Sequence, residues 1–163
     1  MAAILIDTNV LVYAHDPSEP AKQARALEVL DHLHLTGTGR LSAQGLGEFF
    51  SIAVSTRRPL LSPTNAASQV ARLLQAWPVL DITPLVVGEA VRGVRMHRLP
   101  YWDAQLWATA RLNQTSVIFS EDFSPGTVLD GIRFVNPFAD DFDVMTWAPV
   151  ASPAANLSRA ARR

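Results

Sequence analysis

The stretch that decides the fold is AAILIDTNVLVYA, at residues 2–14. Its first five residues form an apolar run with β-branched side chains, which predicts a buried strand, and the run after Asp7 predicts a helix. Asp7 therefore stands at the carboxyl end of a strand. In open α/β folds, ligands bind at this edge of the sheet, where the strand order reverses. Asp7 is thus the first candidate for a functional residue.

Segments typical of strands and helices alternate along the rest of the chain. Further strands are predicted at residues 40–42, 79–82, 116–120 and 132–135, with helices between them. This alternation predicts a three-layer α/β/α domain with a mainly parallel central sheet. We expect that domain to span residues 1–140. Residues 141–163 would form a C-terminal extension, loose from about residue 149, where Ala, Ser, Pro and Arg follow no periodicity.

Two helix starts are marked by a capping residue followed by proline. These are Ser62-Pro63 and Thr83-Pro84, where the hydroxyl can accept from a free amide and proline suits the first helical position. A further helix is predicted over residues 21–35. Its periodicity predicts a buried face that carries Ala24, Leu27, Leu30 and His34.

The composition excludes several classes of protein. The 163 residues include no cysteine, which removes disulfides, thiolate zinc sites and cysteine nucleophiles. No apolar stretch approaches the roughly 18–20 residues of a membrane span, and no basic signal-peptide start is seen, so we expect a cytoplasmic protein. The net charge of −1 does not favour nucleic-acid binding by bulk electrostatics. Such binding would need a local basic patch or a metal.

Four acids are candidates for a common site: Asp7, Glu48, Asp103 and Asp122. Each has an ordinary explanation when it is taken singly. Asp7 can cap the helix that follows it, and Glu48 can be a surface residue of a helix. Asp103 can interact with the free amides at a helix N-terminus, and Asp122, which follows a strand as Asp7 does, can form an Asx-turn.

Taken together, the four acids indicate a metal site. Two follow strands and two lie on apolar helices, so they can converge above one edge of the sheet. Like charges placed together repel each other unless a cation joins them. Mg²⁺ and Mn²⁺ prefer oxygen ligands and can activate water against a phosphoryl group. The pattern therefore predicts a divalent metal and hydrolytic chemistry.

These motifs resemble those of a known family. Residues 4–14 resemble the opening motif of PIN-domain ribonucleases, and the segments 48–50, 101–104 and 120–122 resemble their second, third and fourth acidic motifs. Residues 126–138, with Asp130-Gly131-Ile132 and Val135-Asn136-Pro137-Phe138, are similar to the last strand of VapC-type toxins. The resemblance covers roughly residues 3–138. It implies a PIN-like domain that cleaves RNA with Mg²⁺ or Mn²⁺, leaving a 5′-phosphate and a 3′-hydroxyl.

The resemblance also implies roles for individual residues. Asp7, Asp103 and Asp122 would ligate the metal directly or through water, and Glu48 would complete the site or orient the attacking water. Glu121 is an alternative to Asp122 as the acid that faces the metal. We prefer Asp122 because it aligns with the acid of the fourth motif, Ser-Glu-Asp. Asn9 and Ser120 would hydrogen-bond the carboxylates.

The toxin family implies three partners: an RNA substrate, a cognate antitoxin protein and a second copy of the chain in a homodimer.

Other classes of enzyme fit the sequence less well. A haloacid-dehalogenase-like enzyme needs a second aspartate where Asn9 stands, and neither a P-loop nor a serine-hydrolase elbow is present. The serious alternative is a PIN-like RNA- or protein-binding module without catalysis.

Basic and aromatic residues offer further candidates for substrate contacts. Two basic groups can bind phosphates: Arg57 and Arg58, and the cluster of Arg92, Arg95, His97 and Arg98. A solvated helix face is the simpler explanation. Trp102 and Trp107 can stack on bases, but their helical spacing favours the core.

Overall fold

The structure is a computed structural model that describes residues 2–150. Within these residues it contains a six-stranded sheet in the order β3-β2-β1-β4-β6-β5. All neighbouring strands are parallel except β5 and β6. The strands are β1 (Ile4–Ile6), β2 (Gly39–Ser42), β3 (Val79–Leu80), β4 (Val117–Phe119), β5 (Val128–Leu129) and β6 (Ile132–Val135). The mainly parallel sheet predicted from the sequence is confirmed.

Helices connect the strands. They are α1 (Thr8–Tyr13), α2 (Pro20–Thr36), α3 (Ala43–Ala53), α4 (Pro63–Ala76), α5 (Pro84–His97), α6 (Tyr101–Leu112) and α7 (Val144–Trp147). Among the helices of residues 2–150, none has the length and hydrophobicity that crossing a bilayer requires.

Alternating side chains on the strands build two cores, one on each face of the sheet. Ile4 and Ile6 of β1 face a core that includes residues of α1, α2, α3 and α7. Leu5 lies between them in the sequence and faces the opposite core, which α5 and α6 cover. The two helical layers enclose the sheet, which confirms the predicted three-layer architecture.

The helix caps predicted from the sequence are present. The Ser62 hydroxyl accepts from the Asn65 amide at 3.2 Å, and the Thr83 hydroxyl accepts from the Val86 amide at 3.3 Å. Both helices begin at the proline that follows the capping residue.

The face predicted for α2 is wrong. Ala24, Leu27 and His34 are exposed, and the helix instead buries Ala26, Val29 and Leu33.

Two short elements were not predicted. β5 pairs with β6 across a turn at Asp130 and Gly131, which have φ values of 47° and 83°, and so form the backbone conformation that suits a tight hairpin. The helix α7 lies in the predicted C-terminal extension, and the extension residues Phe142, Val144 and Ala148 are buried in the core. The loose tail expected from about residue 149 falls almost wholly outside the described residues.

The order of the strands creates a switch point between β1 and β4. From β1 the chain moves to β2 and β3 on one side, and it returns to β4 on the other side. The Asp7 amide donates to the Phe119 carbonyl at 3.0 Å, so the segments that follow the two strands begin side by side. Crevices at such switch points are where open α/β sheets bind ligands.

Candidate active site

A cavity of about 370 Å³ opens at this edge of the sheet. All four acids singled out in the sequence line it: Asp7 after β1, Glu48 on α3, Asp103 on α6 and Asp122 in the loop after β4. The fold therefore brings together side chains that are up to 115 positions apart, 122 − 7. Among the described residues that line this cavity, none is Lys or Arg.

Asp7 is fixed through both carboxylate oxygens. Its Oδ1 accepts from the Thr8 amide at 2.6 Å, which caps α1. Its Oδ2 accepts from the Ser120 hydroxyl at 2.7 Å and, more weakly, from Asn9 Nδ2 at 3.4 Å. Ser120 immediately follows β4, so one hydrogen bond ties the ends of the two central strands together.

Asn9 connects the first and last acids of the site. Its Nδ2 lies 3.3 Å from Asp122 Oδ2 and 3.5 Å from the Ser120 hydroxyl, in addition to the contact with Asp7. The Ser120 hydroxyl also accepts from the Asp122 amide at 3.2 Å. Asn9 thus hydrogen-bonds the carboxylates of Asp7 and Asp122, whereas Ser120 bonds the Asp7 carboxylate and the Asp122 backbone amide.

Glu121 is occupied elsewhere. Its Oε1 accepts from the Tyr13 hydroxyl at 2.6 Å, and its Oε2 accepts from Lys22 Nζ at 2.6 Å. Lys22 also donates to the Tyr13 hydroxyl at 2.9 Å. Since this charge is compensated by Lys22, Asp122 is the acid of the pair that faces the cavity.

Glu48 is held from two sides by residues that sequence reasoning missed. Its Oε2 accepts from the Thr8 hydroxyl at 3.0 Å, and its Oε1 accepts from Gln44 Nε2 at 2.8 Å. Gln44 precedes Glu48 by four positions on α3, a spacing that places two side chains on the same helix face. The four-residue spacing of Gln44 and Glu48, and the position of Thr8 directly after Asp7, are sequence signals that point to these contacts.

The acids hold excess negative charge. Burial, together with the charges of Asp122 and Glu48, raises the pKa of Asp7 to about 6, even though the hydrogen bonds from Ser120 and the Thr8 amide lower it. Burial and the same two charges also raise the pKa of Asp103. A carboxylate that gains protons in this way lacks a compensating cation.

The residues fit a hydrated divalent cation. Among residues 2–150, no three acidic or imidazole side chains lie close enough to enclose an ion by themselves. Mg²⁺, however, keeps several waters and is often held by only one or two carboxylates. Every donor that the four acids offer is oxygen, and Asn9 Oδ1 adds a buried oxygen that accepts no hydrogen bond within the described residues.

Three of the basic candidates, Arg58, Arg92 and His97, form ion pairs. Arg58 contacts Asp16 at 3.3 Å. Arg92 and His97 both contact Asp130, at 2.6 and 3.1 Å. Acidic side chains therefore occupy these three basic groups in the structure.

The two tryptophans differ. Trp107 is fully buried, as expected, whereas the core prediction for Trp102 is wrong, because its side chain is 62% exposed and lines the cavity.

The chain is similar in fold to several solved structures. The chain is similar to VapC20 from Mycobacterium tuberculosis, described as a sarcin-ricin loop cleaving toxin, with a TM-score of 0.59 and 21% identity over 80% of this chain and 99% of that one. It is also similar to a chain of a toxin–antitoxin complex from Klebsiella pneumoniae, with a TM-score of 0.59 and 16% identity over 83% and 98% of the two chains. A third similar structure is DNA-bound VapBC from Salmonella typhimurium, with a TM-score of 0.58 and 18% identity over 84% and 99%.

No curated protein matches the chain in sequence. A family model does match. The model described as PIN domain covers residues 4–124, from the first residue of β1 to the loop after β4, and so includes all four acids of the cavity. The match spans well over half of the 163 residues, and the chain therefore belongs to the PIN domain family.

Proposed function

We propose that this protein is a Mg²⁺- or Mn²⁺-dependent endoribonuclease and the toxin of a toxin–antitoxin pair. The observation that carries the proposal is the convergence of four acids, from four separate segments, on one cavity at the switch point of the sheet. A non-catalytic binding module would not require this concentration of uncompensated carboxylates, whose burial and mutual repulsion raise the pKa of Asp7 and Asp103 at a cost in stability.

Some of these residues would bind the metal, and others would orient the attacking water or the metal ligands. Asp7, Asp103 and Asp122 would hold the metal, directly or through its waters. When bound, a divalent metal supplies an activated water and neutralises charge on the phosphoryl oxygens. Glu48, fixed by two hydrogen bonds, would complete the metal site through the metal's waters and orient the attacking water. Ser120 would keep Asp7 turned towards the metal.

Substrate contacts beside the acids would be largely apolar. A second hollow shares Gln44, Glu48, Ile52 and Trp102 with the cavity and adds Ile82. The exposed indole of Trp102 can stack on an unpaired base, an interaction that tolerates any base identity. Because no arginine or lysine lines the described cavity, RNA affinity would depend on the metal and on such stacking.

The toxin part of the proposal is supported by the similar structures, whose descriptions name a toxin, VapC20, a toxin–antitoxin complex and VapBC. The partners would be RNA, a cognate antitoxin protein and, in a homodimer, a second copy of the chain. The protein would act in the cytoplasm, where its substrate is found.

The test is cleavage of cellular RNA by the purified protein, with Mg²⁺ or Mn²⁺ and with a chelator. We expect metal-dependent cleavage that leaves 5′-phosphate and 3′-hydroxyl ends. Asp7→Asn, Asp103→Asn and Asp122→Asn should each reduce the rate by more than about 100-fold, since even residues behind the metal ligands contribute 10–100-fold. Asp31→Asn, which changes an exposed acid on α2, is the matched control.

Wild-type protein that cleaves no RNA with either metal would overturn the enzymatic proposal and favour a binding module. Expression in cells examines the toxin part separately. Wild-type protein should slow growth and Asp103→Asn should relieve the effect. Undiminished growth inhibition by that variant would contradict toxicity through RNA cleavage.

A further inference from the structure

A chain of hydrogen bonds leads from the interior to Glu48. The Tyr101 hydroxyl donates to Gln105 Oε1 at 2.9 Å, and Gln105 Nε2 donates to Gln44 Oε1 at 2.8 Å. Gln44 Nε2 then donates to Glu48 Oε1 at 2.8 Å. Every donor in this chain points towards the carboxylate. We name these three residues, Tyr101, Gln105 and Gln44, the amide relay.

Gln44 also joins the two helices that carry acids. Its Nε2 has two hydrogens, of which one serves Glu48 on its own helix, α3, and the other serves the Trp102 carbonyl on α6 at 3.1 Å. Trp102 immediately precedes Asp103. One amide therefore connects the side chain of Glu48 to the backbone that positions Asp103.

Burial of the Gln105 side-chain amide costs free energy unless the amide is hydrogen-bonded. Gln105 is 4% exposed within α6, where the neighbouring residues Ala104 and Leu106 are buried and apolar. A buried amide stabilises a protein only when it is hydrogen-bonded, and an apolar residue of similar volume would fill the space at lower cost. Its amide is bonded at both ends, to Tyr101 and to Gln44.

Glu48 needs such support because neighbouring charges repel it. Its charge contributes to the raised pKa of both Asp7 and Asp103, so the acids push one another apart. A glutamate side chain has several rotatable bonds and could turn away to solvent. Hydrogen bonds donated to a carboxylate are stronger than neutral ones, and aligned donors polarise one another.

We propose that Gln44 is a positioning residue, held by Gln105 and Tyr101, which fixes the Glu48 carboxylate in the cavity and couples α3 to α6. The proposal rests on the proposed function, because the relay would orient Glu48 beside a bound metal and RNA. It assigns to three uncharged residues a role in metal binding that none of them performs by contact.

The test is a double-mutant cycle on Mn²⁺ binding, measured by isothermal titration calorimetry. Gln44→Met removes the amide and keeps an unbranched side chain of similar length. We expect it to weaken Mn²⁺ binding by about tenfold or more, the usual effect of losing a residue behind a metal ligand. In a Glu48→Gln background the same substitution should have little further effect, because residues that act through one another are not additive.

Two further variants make the cycle robust. Tyr101→Phe deletes a single hydroxyl at the far end of the relay and should weaken Mn²⁺ binding less than Gln44→Met does, again only when Glu48 is present. Gln75→Met, on the exposed surface of α4, is the matched control and should leave Mn²⁺ binding unchanged. Thermal melting of each variant checks that the fold is kept.

The outcomes separate the two proposals. Equal effects of Gln44→Met with and without Glu48 would overturn the relay alone, since a merely structural change adds independently of that acid. Wild-type protein that binds Mn²⁺ but cleaves no RNA would overturn the proposed function alone. Wild-type protein that binds no Mn²⁺ would overturn both.

Discussion

Asp7 uses its two carboxylate oxygens for different tasks. Oδ1 caps α1 through the Thr8 amide, and Oδ2 accepts from Ser120 beyond β4. Capping and membership of the acidic site were alternatives in the sequence, because each was a sufficient reason for an aspartate at that position. In the structure Oδ1 caps α1, and Oδ2 accepts hydrogen bonds from Ser120 and Asn9 in the acidic site.

The raised pKa of Asp7 makes stability depend on pH. Its pKa is about 6 in the folded protein against an ordinary value of 3.8, so the folded state binds the proton more tightly than the unfolded state does. Stability of the metal-free protein should therefore fall as the pH rises from about 4 to about 6. The loss from this residue is at most about 3 kcal/mol, measurable by urea unfolding at several pH values.

The control for this prediction is Asp7→Asn, which cannot ionise and should lose that part of the slope. Mn²⁺ should stabilise the wild-type protein more at pH 7 than at pH 4, because the metal competes with protons for the same oxygens. A wild-type slope equal to that of Asp7→Asn would contradict the assignment of the titration to Asp7.

The acids of the site were visible in the sequence, and the residues that hold them were largely not. Asp7 and Asp122 could be placed at one sheet edge because each follows an apolar strand. Gln105 meets Gln44 across 61 positions, and no local spacing predicts a contact between two distant helices. Trp102 lies one position before Asp103 and points outward, which the apolar composition of the helix concealed.

At the scale of elements, α5 and α6 pack closely at Gly93. A Cβ atom added there would meet the Trp107 ring at 2.9 Å and the Ala104 Cβ at 3.4 Å. The ring has little room to retreat, because it is fully buried and its Nε1 donates to the Leu129 carbonyl at 3.1 Å. The missing side chain at Gly93 therefore sets how closely the two helices approach.

Gly93→Ala should destabilise the protein by about 1–3 kcal/mol, the usual cost of overpacking a core. Gly88→Ala on the same helix is the matched control. No atom lies within 4 Å of a Cβ added at Gly88, so alanine there should stabilise by up to about 1 kcal/mol through its helix propensity. Chemical denaturation measures both, and equal effects at the two positions would contradict the packing argument.

Sequence reasoning located the long elements and failed where local pattern was weak. The starts of α4 and α5 followed from Ser62-Pro63 and Thr83-Pro84, whose chemistry is local. The buried face of α2 was misassigned because apolar residues occur on more than one side of that helix. The strand β5 has only two residues, and its pairing with β6 supplies the structure that its own sequence does not.

At the scale of the molecule, the segment after β6 completes one core. Phe142 packs edge-on against Phe119 of β4, with ring centroids 5.3 Å apart. Two side chains of α2 hold the segment: Arg25 donates to the Phe142 carbonyl at 2.8 Å, and the His32 ring donates to the Ala148 carbonyl at 2.6 Å. The segment lies beyond the predicted domain boundary at residue 140.

A chain that ends at Asp140 should be much less stable than the full chain. It lacks buried Phe142, Val144 and Ala148, and loss of a buried phenylalanine side chain alone costs about 3–5 kcal/mol. Urea unfolding of the two chains measures the difference, and Phe142→Ala in the full chain isolates the contribution of the aromatic ring. Equal unfolding midpoints would support a domain boundary at residue 140.

The ion pair between Lys22 and Glu121 has a chemical consequence. Lys22 is the single lysine of the chain, and its hydrogen bonds to Glu121 and Tyr13 raise its pKa above the usual range. Its amine therefore stays protonated and is a poor nucleophile while the loop after β4 keeps its place. Acylation of that one side chain would remove the charge opposite Glu121 and leave a second uncompensated carboxylate beside Asp122. One modified nitrogen would thus add an uncompensated negative charge beside the acids of the cavity.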